Sequence, residues 1–309
     1  MLRIVPTVAF PTVQDAINAS SPGDSIKILA GKFDGFEVTV ENLKIFGCGI
    51  GRTIIDGEPA DILGRGVIVS ENQTILQKFT VQGFPLDGVF VNSNNNILKD
   101  IESKLNNGPT ASDGIQVGGD NNLLIQCTTL FNGDDGFEVN AAEHNCLINC
   151  LGVTNADNGV NITGGSENNK FLKVTSEKNL GEGFFVNSDF NTLLNNIISQ
   201  NITRGILVGG DSNNSIIDNL VCNNTGSGMD IENNSNDNII DSNTVNNNGT
   251  QAINDGITVQ DGAIGNTIRF NKARNNFEFD IQALGNAFAD NTYDGNQCGD
   301  SDPATICGS

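Results

Sequence analysis

The apolar positions of this chain recur in a short fixed pattern. A glycine is followed by an apolar residue, any residue, then another apolar residue: "GVIV" at Gly66, "GVFV" at Gly88, "GIQV" at Gly114 and "GFEV" at Gly136. The series continues with "GVNI" at Gly159, "GFFV" at Gly183, "GILV" at Gly205, "GMDI" at Gly228 and "GITV" at Gly256. A degenerate copy, "DIQA", starts at Asp280. This alternation has period two, the mark of a strand with one buried face. An Asn-rich step then leads into a second short apolar run, as in "NNNILKDI" (94–101), "NTLLNNI" (191–197) and "NDNIIDS" (236–242). Asn and Gly tolerate the left-handed backbone that such tight turns need.

Successive copies lie 22 to 28 residues apart. Units that short hold no crossover helix, so they must stack as coils, each pairing in parallel with the next. The predicted fold is all-β: a single right-handed parallel β-helix of about ten or eleven coils. Asn at equivalent turns of successive coils would form an internal amide ladder. A leucine-rich repeat would need a leucine skeleton that is missing, and a propeller would need longer units.

Such a solenoid needs end caps. Residues 1–23 are assigned to the first, with a short helix in "TVQDAINA" (12–19). There Thr12 and Asp15 make a capping-box start, and Val13, Ala16 and Ile17 share one face. Residues 24–285 form the β-helix, and residues 286–309 the second cap. The opening segment resembles the N-terminal caps of pectate-lyase-like and NosD-like β-helix proteins. That resemblance extends over nearly the whole chain and concerns the fold.

Composition narrows the partners. Only 37% of residues are apolar, but their regular spacing excludes disorder. A formal net charge of −21 makes nucleic acid and anionic lipid poor partners. Cations, or anions bridged by cations, suit it better. No apolar run is long enough to span a bilayer. The opening "MLRIVPTVAFPTV" lacks the clean apolar core of a signal peptide. Cys298 and Cys307 bracket a short polar loop, "CGDSDPATIC", which reads as a disulfide clasp. A disulfide favours an oxidising location, outside the cell or on a cell or spore surface. Cys48, Cys127, Cys146, Cys150 and Cys222 are expected to be buried thiols.

The residue between the two apolar ones should face outward. Down the stack this column reads Ile68, Phe90, Gln116, Glu138, Asn161, Phe185, Leu207, Asp230, Thr258 and Gln282. Its centre is polar, and the longer turns at 106–113 and 246–255 would wall it into a groove for a linear polymer. Gln116, Asn161, Glu182 and Phe185 are the expected substrate contacts; Phe185 and Leu207 at their outward positions either stack on sugar rings or lie covered by a loop.

The residues before each glycine form another column: Asp87, Asp113, Asp135, Asn158, Glu182, Arg204, Ser227 and Asp255. One step earlier stand Asp134 and Asp157. With coils about 5 Å apart, Asp113, Asp134, Asp135, Glu138 and Asp157 fall close enough to feel one another. Calcium, which takes six to eight oxygens in flexible geometry, suits such a group. The plainer reading of an Asp-Gly pair is a turn, and it accounts for Asp87 and Asp255.

The motif "DDGFE", with Asp113 one coil earlier, resembles the calcium site of family 9 polysaccharide lyases. The resemblance implies Asp113, Asp134, Asp135 and Glu138 as calcium ligands, Glu138 standing where that family has aspartate. The next coil, "NGVNITGG" (158–165), is similar to the family's catalytic coil, but the lysine base falls on Asn161. An amide cannot abstract the proton that calcium acidifies beside a uronate carboxylate before β-elimination. Asp134, Asp135 and Arg204 are left as catalytic candidates, with Lys173 and Lys178 as other bases. The order of Asp113 and Asp134-Asp135 is also similar to family 28 polygalacturonases, which implies inverting hydrolysis. That family's histidine and Arg-x-Lys motif have no counterpart. His144 reads as a solvated turn residue.

The sequence therefore predicts a carbohydrate-active β-helix that binds an acidic, uronate polysaccharide through calcium, with lyase or epimerase activity left open. A non-enzymatic surface solenoid is the alternative, and a polygalacturonase-like hydrolase the second.

Overall fold

The structure is a computed structural model that describes residues 1–57, 64–108, 112–251 and 254–307. It is a parallel β-solenoid of about 13 turns with almost no helix. Its internal contacts divide it into two compact units, Met1–Ala156 and Asp157–Ser309.

In the first unit one sheet is built from Phe36–Val38, Val67–Val69, Val89–Val91, Ile115–Val117 and Phe137–Asn140. Each strand pairs in parallel with the next, in exact register. The apolar pair of every G-φ-x-φ copy faces inward, so Val67, Val89, Ile115 and Phe137 stack in one column and Val69, Val91, Val117 and Val139 in another, all essentially inaccessible. Each such side chain contributes about 1.5–3 kcal/mol on burial. The remaining ladders run through Ser25–Ile28, Lys44–Phe46, Ile75–Gln82, Ile97–Lys104, Leu123–Ile125 and Cys146–Ile148, and through Gly31–Phe33, Thr53–Asp56, the second halves of Ile75–Gln82 and Ile97–Lys104, Thr128–Leu130 and Leu151–Val153.

The second unit repeats the plan. Val160–Thr163, Phe184–Val186, Ile206–Val208, Met229–Ile231, Ile257–Val259 and Ile281–Ala283 pair in parallel, and Ser301–Asp302 extends the sheet.

The expected count of ten or eleven coils was too low. The glycine series from Gly66 leaves out an earlier copy, "GFEV" at Gly35, and parallel pairing already starts at Leu2–Val5 on Ser25–Ile28. It continues at the other end through Thr292–Asp294 and Gln297–Cys298. The end strands Leu2–Val5 and Ser301–Asp302 carry no motif glycine before them.

The cap helix forms as expected over Val13–Asn18, with the reciprocal Thr12–Asp15 capping box and Val13, Ala16 and Ile17 buried. Cys298 and Cys307 are joined by a disulfide, their Cα atoms 5.7 Å apart. Cys127 and Cys150 are buried, but Cys48, Cys146 and Cys222 are only half-buried. Cys146 and Cys222 stand at the ends of three-residue strands whose central residue alone faces inward.

The amide ladders are present. Asn106 Nδ2 donates to Asn132 Oδ1, and Asn132 Nδ2 to Asn155 Oδ1, both at 2.9 Å. In the second unit, Asn196, Asn219, Asn243, Asn271 and Asn296 form a run of amide-to-amide bonds at 2.9–3.1 Å. Residues just before ladder asparagines adopt left-handed backbone, as at Asn121 (φ 58°). Leu105 and Phe131 do so as well, at 57° and 56°. The ladder therefore imposes the turn even on residues that resist it. The motif glycines have a different role. A Cβ on Gly114 would stand 2.6 Å from the carbonyl oxygen of Gly136 and 2.6 Å from Thr129 Cβ. Close approach between coils therefore requires glycine there.

Candidate functional site

The register places the outward residues of the first unit in a row. Gln116 is paired with Phe90 on one side and Glu138 on the other. Phe90, Gln116 and Glu138 are each half-buried.

Beside this row runs the column that precedes the glycines, where carboxylates act as rungs. Asp87 Oδ1 accepts the Asp113 N–H at 3.2 Å, and Asp113 Oδ1 accepts the Asp135 N–H at 3.1 Å. Asp113 is thus part of the scaffold, as the turn reading of an Asp-Gly pair implies. Its second oxygen is a different matter. Asp113 Oδ2 is buried and accepts no hydrogen bond from the protein. Burial pushes the Asp113 carboxyl well above the usual carboxylate range, and the charges of Asp135, Glu138 and Asp87 push it further in the same direction.

Asp113, Asp134 and Asp135 come together, each offering a carboxylate oxygen such that all three lie within 4.8 Å of one another. Asp113 and Asp135 are buried and Asp134 is half-buried. An orphaned buried oxygen within a cluster of three hard oxygen donors fits a hard divalent cation. Glu138 stands next to the group. The Gln116 amide donates to its Oε2, and Asn140 Nδ2 lies 3.3 Å from its Oε1.

Asp157, Asn161, Glu182, Phe185 and Arg204 belong to the second unit. Asp157 is exposed, and its carboxyl is raised by partial burial and by Glu182. Asn161 and Phe185 are half-buried and paired in register. Arg204 is fully engaged: its Nη1 lies 3.2 Å from Glu182, its Nε 2.9 Å from Asp230 and its Nη2 3.9 Å from Glu232. Asp230 also accepts from Gln260 at 2.9 Å. Leu207, whose outward position left stacking and cover both open, is buried, as are Asp230 and Thr258 farther along the column. Leu207 is paired between Phe185 and Asp230, and large or salt-bridged neighbours on both sides cover it.

His144 is an exposed turn residue with its ring 3.6 Å from Glu143. Lys173 and Lys178 occupy exposed left-handed turn positions, and Lys178 pairs with Glu177 at 2.6 Å. The turns expected to wall a groove include residues 109–111 and 252–253, which lie outside the described residues.

Sequence reasoning missed Arg65. Its Nε donates to Asp87 at 2.7 Å, and its guanidinium carbon stands 4.3 Å from the centre of the Phe90 ring. The signal was present, since Arg65 precedes Gly66 just as Asp87 precedes Gly88.

Comparison with known proteins adds the following. No curated protein matches this sequence. Among solved structures, the A-module of the Azotobacter vinelandii mannuronan C-5 epimerase AlgE6 is similar with a TM-score of 0.81 and 17% identity, over 92% of this chain and 87% of that one. The Dettilon tailspike protein is similar at 0.64 and 17% identity, over 88% and 60%. Pectate lyase Pel9A is similar at 0.59 and 15% identity, over 92% and 73%. At these identities the likeness establishes the fold alone. Residues 65–221 and 173–298 match a family model described as "Right handed beta helix region". Those overlapping matches span most of the sequence, and the chain belongs to the right-handed β-helix family.

Proposed function

We propose that this protein binds an acidic, uronate-bearing polysaccharide on the outer face of the first unit, through calcium held by Asp113, Asp134 and Asp135. The observation that carries the reading is the buried Asp113 Oδ2, which accepts no hydrogen bond inside a group of three carboxylates. Such an oxygen is costly unless a cation or proton satisfies it. Calcium, when bound, supplies positive charge that is shared between these carboxylates and a uronate carboxylate. Two of the similar structures are named for mannuronan and pectate, both uronate polymers, which supports the choice of ligand.

The chain's own residues do the positioning. The Asp113 and Asp135 backbones are pinned by the rung hydrogen bonds, so their side chains are preorganised. Gln116 holds Glu138 at the edge of the group, leaving the Glu138 charge to reinforce the local negative field. The proposal is for binding. Asn161 offers no proton acceptor at the matched lysine position, and Arg204 is held by three acids. The disulfide supports an oxidising location such as a cell or spore surface.

Calorimetry tests the reading, with calcium added first and then polygalacturonate or alginate, on wild type and on Asp134→Ala. Wild type is expected to bind calcium and then polymer, and the variant neither. Failure of wild type to take up calcium would sink the assignment. Appearance of the ultraviolet absorbance of unsaturated uronate ends would show an added lyase step.

A further inference from the structure

Arg65 has no part in the cation group, yet it is built with care. Asp87 is buried and fixed through both oxygens, one by the Asp113 N–H and the other by Arg65 Nε. The Arg65 guanidinium lies over the Phe90 ring at 4.3 Å. Its edge is held by a carboxylate and its face by an aromatic ring, so its plane is fixed. Among the described residues, Nη1 and Nη2 make no hydrogen bond, and the side chain is 33% exposed. A planar guanidinium with a fixed plane and two available nitrogens is a fork matched to a carboxylate. Arg204 in the second unit makes the contrast clear, because all three of its nitrogens already face acids.

We propose that Arg65, seated on Phe90, is a second subsite of the polysaccharide-binding face, receiving a uronate carboxylate at a distance from the cation. This rests on the binding function proposed above. The strands that carry the two features are in register: Val67 pairs with Val89, and Val89 with Ile115. Arg65 itself stands two coils before Asp113, but its guanidinium reaches forward to Asp87 and Phe90, one coil before Asp113 and about 5 Å from it along the ladder. A pyranose ring in an extended chain is about as long as one coil spacing. A carboxylate at the cation and another at Arg65 thus belong to neighbouring sugars of one chain. Phe90 adds an apolar surface on the same side.

The test uses the full chain with saturating calcium, and a uronate monosaccharide and oligouronates of two or more sugars, by calorimetry. Arg65→Gln is expected to weaken binding of the longer oligomer about tenfold or more. Its affinity for calcium and for the monosaccharide is expected to stay at the wild-type value. Methyl-esterified oligomers should remove the difference between variant and wild type. If Arg65→Gln fails to fold, Arg65→Lys decides, since it keeps the charge beside Asp87 and loses the fork, and selective loss of long-oligomer affinity is again expected. Equal affinity of variant and wild type for the long oligomer, with wild-type binding still calcium-dependent, overturns the subsite and leaves the binding function standing. A wild type that binds no oligouronate overturns both.

Discussion

Each unit has an acidic region among the pre-glycine and outward positions of the repeat, and the two regions are handled in opposite ways. In the second unit, Glu182 and Asp230 flank Arg204, and one guanidinium bridges them at 3.2 and 2.9 Å. In the first unit, Asp113, Asp134 and Asp135 crowd together, and no arginine or lysine among the described residues pairs with Asp113. The backbone, the glycine and the inward apolar pair are the same in both places. The difference teaches that the fold itself tolerates acids at these positions. One set is neutralised by a cation in the chain, while the other, on the function proposed above, takes a cation from solution.

The strongest way to break this comparison is to add calcium. At about a hundredfold excess over its dissociation constant, calcium should stabilise wild type by about 2.7 kcal/mol. Asp134→Ala should lose that gain, as read from urea unfolding with and without the ion. Equal stabilisation of both proteins would mean that the ion sits elsewhere.

Removing the built-in cation should have the next largest effect. Arg204→Met leaves Glu182 and Asp230 without their shared partner and should cost about 2 kcal/mol, less than for a fully buried pair because Arg204 is 35% exposed. Urea midpoints would check this, and an unchanged midpoint would show that the acids need no cation.

The smallest effect sharpens the comparison with a third acid. Asp211 in the second unit is pushed up to about 6 by burial and by the nearby Asp189 charge. Its folded value exceeds its unfolded one. Its contribution to stability is therefore present below about pH 4 and lost as pH rises through about 6. Asp211 is about half exposed, and after solvent screening the loss should be about 1 kcal/mol. Asp211→Asn should flatten the fall in melting temperature across that window. A slope identical to wild type would rule Asp211 out as its source.

The fold was legible because its signals are local and repeated. Gly88, Gly114 and Gly136 each precede an alternating apolar pair, and the Asn runs fall at fixed offsets. Register then made the Asp113–Asp134–Asp135 group legible as well, since stacking converts an offset of about one coil into proximity. What escaped was whatever depends on side-chain reach. Leu207 holds an outward position but is buried, because burial there is decided by its neighbours Phe185 and Asp230. Arg65 escaped because its meaning lies in two contacts, with Asp87 and Phe90, which the spacing of residues does not reveal. The first turns escaped although "GFEV" at Gly35 carries the same motif, because it lies 31 residues before Gly66, outside the spacing of the later copies.

The asparagine ladder has a consequence for how such a protein can change over generations. Along the run from Asn196 to Asn296 successive rungs present the same donor and the same acceptor to each other, as Asn219 does to Asn196 and Asn243. A duplicated or deleted coil would therefore meet a joint of unchanged chemistry. Slippage within a repetitive gene could lengthen or shorten the chain in whole coils, while the few coils that carry Arg65 and the aspartates are inherited as a block.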